Sequence, residues 1–88
     1  MKDATPRTLK RGALQLCKLL CQLEPILNHS FELKSIPTGY LELLEYRVYI
    51  LEKLAEATQA QANLGLTSPE LTRIFSDIRN TLNREYRI

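Results

Sequence analysis

Residues 40–63 lie in the longest segment without proline or glycine, and they constrain the fold most strongly. Its apolar residues recur at intervals of three and four, which is the spacing of the a and d positions in a heptad repeat. Two adjacent stripes of this kind predict a helix with a wide apolar face, and such a helix needs partners on more than one side. The first stripe consists of Leu41, Leu44, Val48, Leu51, Ala55, Thr58 and Ala62, and the second of Tyr40, Leu43, Ile50, Leu54 and Ala57.

The size and composition of the chain predict one small domain over residues 1–88. Apolar residues make up 44% and charged residues 25%, as in ordinary soluble globular proteins. Two cysteines are too few for a disulfide framework, and the sequence shows no signal peptide and no uninterrupted membrane span. We therefore expect a reduced, cytoplasmic protein that has no membrane partner.

Proline and glycine fall between the periodic segments and predict three helices, over about residues 6–24, 39–63 and 68–85. Amphipathic helices with short connections are typical of bundles, so the predicted fold is all-α, a three-helix antiparallel bundle in up-down-up order. Pro25 is expected to kink or break the first helix. We expect residues 31–36 to form an extended linker that tucks Phe31 and Leu33 against the bundle.

Turn-forming and hydroxyl residues mark the predicted helix ends. Gly65 is expected to end the second helix, because glycine adopts positive φ without a Cβ penalty. The expected N-terminal caps are Thr5 for the first helix, Ser35 or Thr38 for the second, and Thr67, with Glu70 completing a capping box, for the third.

The candidates for metal or redox chemistry are Cys17, Cys21 and His29. Cys17 and Cys21 lie one helical turn apart and could supply two metal ligands, with His29 as a third. Zinc needs three or four protein ligands, and free cysteine is a common core residue. We therefore predict that both cysteines fill the core, that His29 is solvated or caps a helix, and that the protein holds no metal or cofactor.

Arg47 falls on the second apolar stripe, between Leu43 and Ile50. One interpretation is that its aliphatic stem lies on the apolar surface while its guanidinium reaches water or a neighbouring glutamate. The alternative is a functional arginine, either at a protein interface or binding an anion inside the bundle.

Two segments resemble the all-α chorismate mutases over about a third of the chain. Leu43-Leu44-Glu45-Tyr46-Arg47, followed by Leu51 and Leu54, is similar to the opening helix of that family. Leu71-Thr72-Arg73-Ile74-Phe75, with Ile78, is similar to the start of its last helix. The resemblance implies a helical enzyme in which Arg47 is one of several cations around an anionic substrate, although here another helix precedes the matching one.

The charges are unevenly distributed, because residues 1–23 carry a net charge of +4 and residues 24–56 a net charge of −3. Arg7, Arg11 and Lys18 share one face of the first helix, with Lys10 beside them. This basic face is the feature that would bind nucleic acid, which is the second functional hypothesis. It could instead attract the acidic second helix, within one chain or between copies.

Tyr46 and Tyr49 lie on the otherwise polar side of the second helix, beside Glu45 and Glu52. Tyrosine is favoured at interfaces because it buries a large area at low entropic cost. The leading hypothesis is therefore a non-enzymatic protein–protein interaction module that is homo-oligomeric or docks a larger partner. The residues predicted to bind the partner are Arg47, Tyr46 and Tyr49, followed by Arg7, Arg11 and Lys18.

Overall fold

The fold consists of three α-helices, as seen in a computed structural model that describes residues 6–86. Helix α1 spans Pro6–Leu27, α2 spans Tyr40–Leu64 and α3 spans Pro69–Glu85, and residues 6–86 contain no β-strand. The predicted all-α three-helix bundle is confirmed. Each predicted helix is present, and the ends differ from the predicted ones by three residues at most.

Helix α1 is the centre of the bundle, because it packs against both α2 and α3 while those two helices barely touch each other. Its buried face is almost entirely leucine, with the two small residues Gly12 and Ala13 among them. Within residues 6–86, the helix with a helical partner on two sides is therefore α1, and not α2, which corresponds to the predicted segment 40–63. The buried residues of α1 are Leu9, Gly12, Ala13, Leu16, Leu19, Leu20, Leu23 and Leu27.

Helix α3 runs antiparallel to α1, and Gly12 allows the two to approach closely. The Tyr86 hydroxyl, at the end of α3, donates a hydrogen bond to the carbonyl of Leu9, near the start of α1 (3.3 Å). A Cβ atom built on Gly12 would lie 2.7 Å from the Cβ of Glu85. Any larger residue at position 12 would therefore push the two helices apart. Tyr86, directly after the last residue of α3, is buried.

Helices α1 and α2 run in the same direction, which differs from the predicted up-down-up order. Cys17 Sγ, in the middle of α1, lies 2.9 Å from Tyr46 Oη, near the start of α2. His29, just beyond the end of α1, lies 2.5 Å from Glu56, further along α2. The linker of residues 28–39 makes this direction possible because it carries the chain back along the bundle before α2 begins.

The linker is packed against the helices, as predicted. Phe31 is fully buried, and its backbone N–H donates to the Glu24 carboxylate (2.9 Å). Leu33 packs against the edge of the core. Asn28 and Glu32 have positive φ, at 52° and 50°, so the chain changes direction on each side of the buried Phe31.

The helix ends correct several of the predicted caps. Pro25 does not end α1, which continues to Leu27. Gly39 precedes α2 without a side-chain cap, so neither Ser35 nor Thr38 caps it, and the Ser68 hydroxyl, rather than Thr67, accepts from Leu71 N–H (3.1 Å) at the start of α3. Gly65 ends α2 with φ of 64°, as predicted, and Thr5 lies outside the described residues.

Candidate protein-interaction surface

Helix α2 carries an apolar stripe that the rest of residues 6–86 covers only in part, since Leu44 packs against the edge of the core and the other members are exposed. Leu41 is 69% exposed, Val48 57% and Leu51 37%; Ala55 is also exposed and Leu44 is half-buried. We call these five residues the outer stripe. They are the first five members of the predicted heptad stripe, and all of them except Leu44 face solvent although they were expected to pack in the bundle.

The opposite side of α2 forms its contact with the bundle. This inner face consists of Leu43, Tyr46, Ile50 and Ala57, all buried. At 100° per residue, positions 43, 50 and 57 lie roughly opposite positions 41, 48 and 55 on the helix. Three members of the second predicted stripe, Leu43, Ile50 and Ala57, are therefore the ones that enter the core.

Tyr46 belongs to the core and is not an exposed partner residue, which corrects the prediction. Its side chain is only 2% exposed, its hydroxyl lies 2.9 Å from Cys17 Sγ, and it donates a longer bond (3.4 Å) to the carbonyl of Lys34. Burial, together with the bond to Cys17, raises the pKa of this phenol well above its ordinary value. Its spacing from Leu43 and Ile50 was the sequence signal that could have placed it on the inner face.

Tyr49 is half-buried and packs against the linker, so it does not lie on a free surface as predicted. Its hydroxyl accepts a hydrogen bond from Lys34 N–H (2.9 Å) and donates a long one to the carbonyl of Glu32 (3.5 Å). The Nζ of Lys34 lies 4.4 Å from the centre of its ring and that of Lys53 lies 5.5 Å away. Because Tyr49 packs against the linker and Tyr46 lies in the core, the two tyrosines do not form a free surface on α2.

Arg47 lies at the edge of the outer stripe and is exposed, as are Glu45 and Glu52. The interpretation of Arg47 as an anion-binding residue inside the bundle is wrong, because its side chain is exposed even though it neighbours the inner-face residues Leu43 and Ile50. Its exposed position next to apolar residues agrees with the snorkelling interpretation and leaves an interface role open to test. Arg47 is therefore not the buried, substrate-binding cation that the resemblance to the chorismate mutases implies.

The basic residues of α1 are also on the surface. Arg7, Arg11 and Lys18 are all exposed, as the helical pattern predicts. The Arg11 guanidinium pairs with Glu85 of α3 (3.3 Å), rather than with an acid of α2. Burial raises the pKa of Glu85, but the hydrogen bonds from Arg84 and Arg11 outweigh it and leave the pKa below its ordinary value. Arg11 is thus partly engaged in joining α1 to α3.

Cys17, Cys21 and His29 do not form a common site. Cys17 is half-buried against Tyr46, whereas Cys21 is exposed, so the prediction that both cysteines fill the core is wrong for Cys21. His29 joins the linker to Glu56 and lowers the pKa of that carboxyl through their hydrogen bond, with a smaller contribution from Lys53. Within residues 6–86, no three His, Cys, Asp or Glu side chains converge closely enough to hold a metal ion.

None of the three helices in the described part of the chain is both long enough and apolar enough to cross a bilayer. Comparison with protein-family models, curated proteins and solved structures gave no significant match. The outer stripe is the feature of residues 6–86 that the fold leaves unexplained.

Proposed function

We propose that the protein is a non-enzymatic protein–protein interaction module that self-associates through the outer stripe of α2. The observation that supports this proposal is the exposure of a regular heptad stripe on a helix whose opposite face already fills the core. A contiguous apolar patch on a small soluble domain marks an interaction site more often than a solvated surface.

The free energy available at this face supports association. Fully burying a leucine or valine side chain stabilises by roughly 1.5–3 kcal/mol relative to leaving it exposed. Much of this free energy is still available at Leu41 and Val48, because they are 69% and 57% exposed in the single chain. The spacing of the stripe suits another helix, whose side chains would pack between successive turns of α2.

The residues that contribute to the proposed interface differ from those first predicted. Arg47 stays in the proposal as a residue at its edge. Tyr46 and Tyr49 leave it, because their hydroxyls are used inside the chain. Arg7 and Lys18 remain the surface on which nucleic-acid binding would depend, but the exposed apolar residue Leu14 interrupts this basic face. The apolar stripe is therefore the better supported surface.

Sedimentation equilibrium under reducing conditions tests the proposal over a hundredfold concentration range. We expect the wild type to form dimers or higher species and Val48→Lys to remain monomeric, because the substitution places a charge within the stripe. The matched control is Leu14→Lys, which makes the same kind of change at an apolar residue that is 49% exposed on α1.

Leu14→Lys is expected to associate like the wild type, and circular dichroism should show that both variants keep their helical content. A wild-type protein that stays monomeric over the whole range would contradict the proposal. Equal association of Val48→Lys and the wild type would also contradict it, because the interface would then lie elsewhere.

A further inference from the structure

We infer that the outer stripe binds the α2 helix of a second copy of this chain, parallel to it and in the same register. This inference rests on the proposed function and adds the identity and the direction of the partner helix. It depends on the residues within the stripe and on the exposed charges beside it.

The residues within the stripe favour two strands over three or four. Leu41, Val48 and Ala55 occupy the a positions of the heptad, and Leu44 and Leu51 occupy the d positions. A β-branched residue at a, followed by leucine at d, favours parallel dimers over trimers and tetramers. Val48 and Leu51 supply this combination at the middle of the exposed stripe.

The charges at the edges of the stripe select the direction. Arg47 occupies a g position and Glu52 the e position of the following heptad, and both side chains are exposed. In a parallel pair in register, the g residue of one helix faces the following e residue of the other. Arg47 of each copy would therefore lie beside Glu52 of the other, and the symmetry of the dimer would form this pair twice.

An antiparallel arrangement lacks this complementarity. It brings e positions next to e positions, so Glu45 of one copy would face Glu52 of the other. Both glutamates are exposed, and neither has an ion pair within residues 6–86. Two like-charge contacts would then oppose association, whereas the parallel arrangement forms two opposite-charge contacts.

Charge reversal at Glu52 distinguishes the two directions. In the parallel dimer, Glu52→Arg would face Arg47 and weaken dimerisation about five- to tenfold at low salt. In an antiparallel dimer the same substitution would face Glu45 and strengthen dimerisation. The dimer dissociation constant is measured by sedimentation equilibrium at low and at high salt, where screening should reduce the effect.

The double reversal Arg47→Glu/Glu52→Arg is the rescue variant, and we expect it to restore the wild-type dissociation constant within about twofold. Arg73→Glu, at an exposed arginine of α3, is the matched control and should leave the constant unchanged. Circular dichroism of each variant confirms that the fold is kept.

The outcomes separate this inference from the proposed function. If the wild type dimerises and Glu52→Arg strengthens the dimer, or leaves it unchanged, the parallel arrangement is overturned and self-association stands. Failure of the double variant to restore dimerisation would also overturn it. A wild-type protein that is monomeric at every concentration would remove the proposed function and this inference together.

Discussion

The two apolar faces of α2 run along the same helix but have opposite environments. The inner face buries Leu43, Tyr46 and Ile50, while the outer stripe leaves Leu41 and Val48 in solvent. The difference lies in what each face meets. The inner face packs on the leucine-rich face of α1 and on the linker, which accepts a hydrogen bond from the buried Tyr46. Within residues 6–86, the outer stripe is covered only at its Leu44 edge. Regular apolar spacing therefore identifies a surface that can pack, but not the partner that it packs against.

Two matched leucines give the largest expected difference between the faces. Leu43→Ala should lower the free energy of unfolding by about 2–5 kcal/mol, because it leaves a cavity at a fully buried site. Leu41→Ala should lower it by less than about 0.5 kcal/mol in the monomer, because that side chain is mostly solvated. Urea denaturation at a concentration below that of self-association measures both values.

The same pair should behave in the reverse way in sedimentation equilibrium. Leu41→Ala is expected to weaken association while its unfolding midpoint stays close to that of the wild type. Similar losses of stability in the two variants at low concentration would mean that the faces are not distinct in the free protein.

Alkaline pH should destabilise the protein through the buried tyrosines. Burial raises the pKa of Tyr86 to about 12 and raises that of Tyr46 as well, so the folded state keeps both phenols protonated where the unfolded state ionises them. The contribution of these two tyrosines to stability is fully present below about pH 10 and is lost as the pH rises above it. Tyr86 alone should contribute a loss of ~2 kcal/mol between pH 10 and pH 12. Denaturant titrations at several pH values measure this loss.

Tyr86→Phe should show a smaller loss over the same interval, because it removes one of the two shifted groups. Tyr40→Phe is the matched control, since Tyr40 is 43% exposed. It should follow the wild-type pH dependence. A loss of stability that is the same in Tyr86→Phe and the wild type would assign the alkaline effect to other groups.

The smallest expected effect concerns the contact that fixes the linker beside α2. Hydrogen bonding to His29 lowers the pKa of Glu56, so this contact stabilises the fold above the ordinary pKa of glutamate and is lost as the pH falls below it. Glu56→Gln should cost a few tenths of a kcal/mol at pH 7, because the pair is partly exposed. Urea denaturation at pH 7 and pH 4 should show a difference between variant and wild type that shrinks at the lower pH.

Glu52→Gln on the same helix is the control for Glu56→Gln. Glu52 is exposed and lies beside the outer stripe, so its replacement should leave the monomer's stability nearly unchanged at both pH values. If the two variants were indistinguishable, the His29–Glu56 contact would contribute nothing measurable to the fold.

Local sequence signals predicted the helices well, because each helix end has its own chemistry. Gly65 at the end of α2 is an example of a signal that needs no knowledge of the tertiary structure. The capping residue of α3 was predicted one position too early, since Thr67 and Ser68 are adjacent hydroxyl residues and only the backbone geometry decides between them. Pro25 likewise left open whether α1 ends or continues there, and the helix continues to Leu27, which is buried in the core.

The arrangement of the helices could not be predicted in the same way. Two apolar faces on α2 leave two choices for the core, and the sequence pattern gives the outer stripe the more regular spacing. Tyr46 looked like a surface residue because glutamates flank it. Its burial depends on Cys17 and on the carbonyl of Lys34, which only the folded linker brings within reach. Tertiary contacts of this kind have no local signature.

The pairing of α1 with α3 has a consequence for the order in which the fold can form. The Leu9–Tyr86 hydrogen bond joins residues 77 positions apart, so the central helix cannot complete its core until the last helix is available. Contacts between distant parts of a chain slow folding, because a long loop must close before they form. During synthesis on the ribosome, part of the leucine-rich face of α1 would stay uncovered until α3 emerges, and apolar surface exposed in this way promotes aggregation.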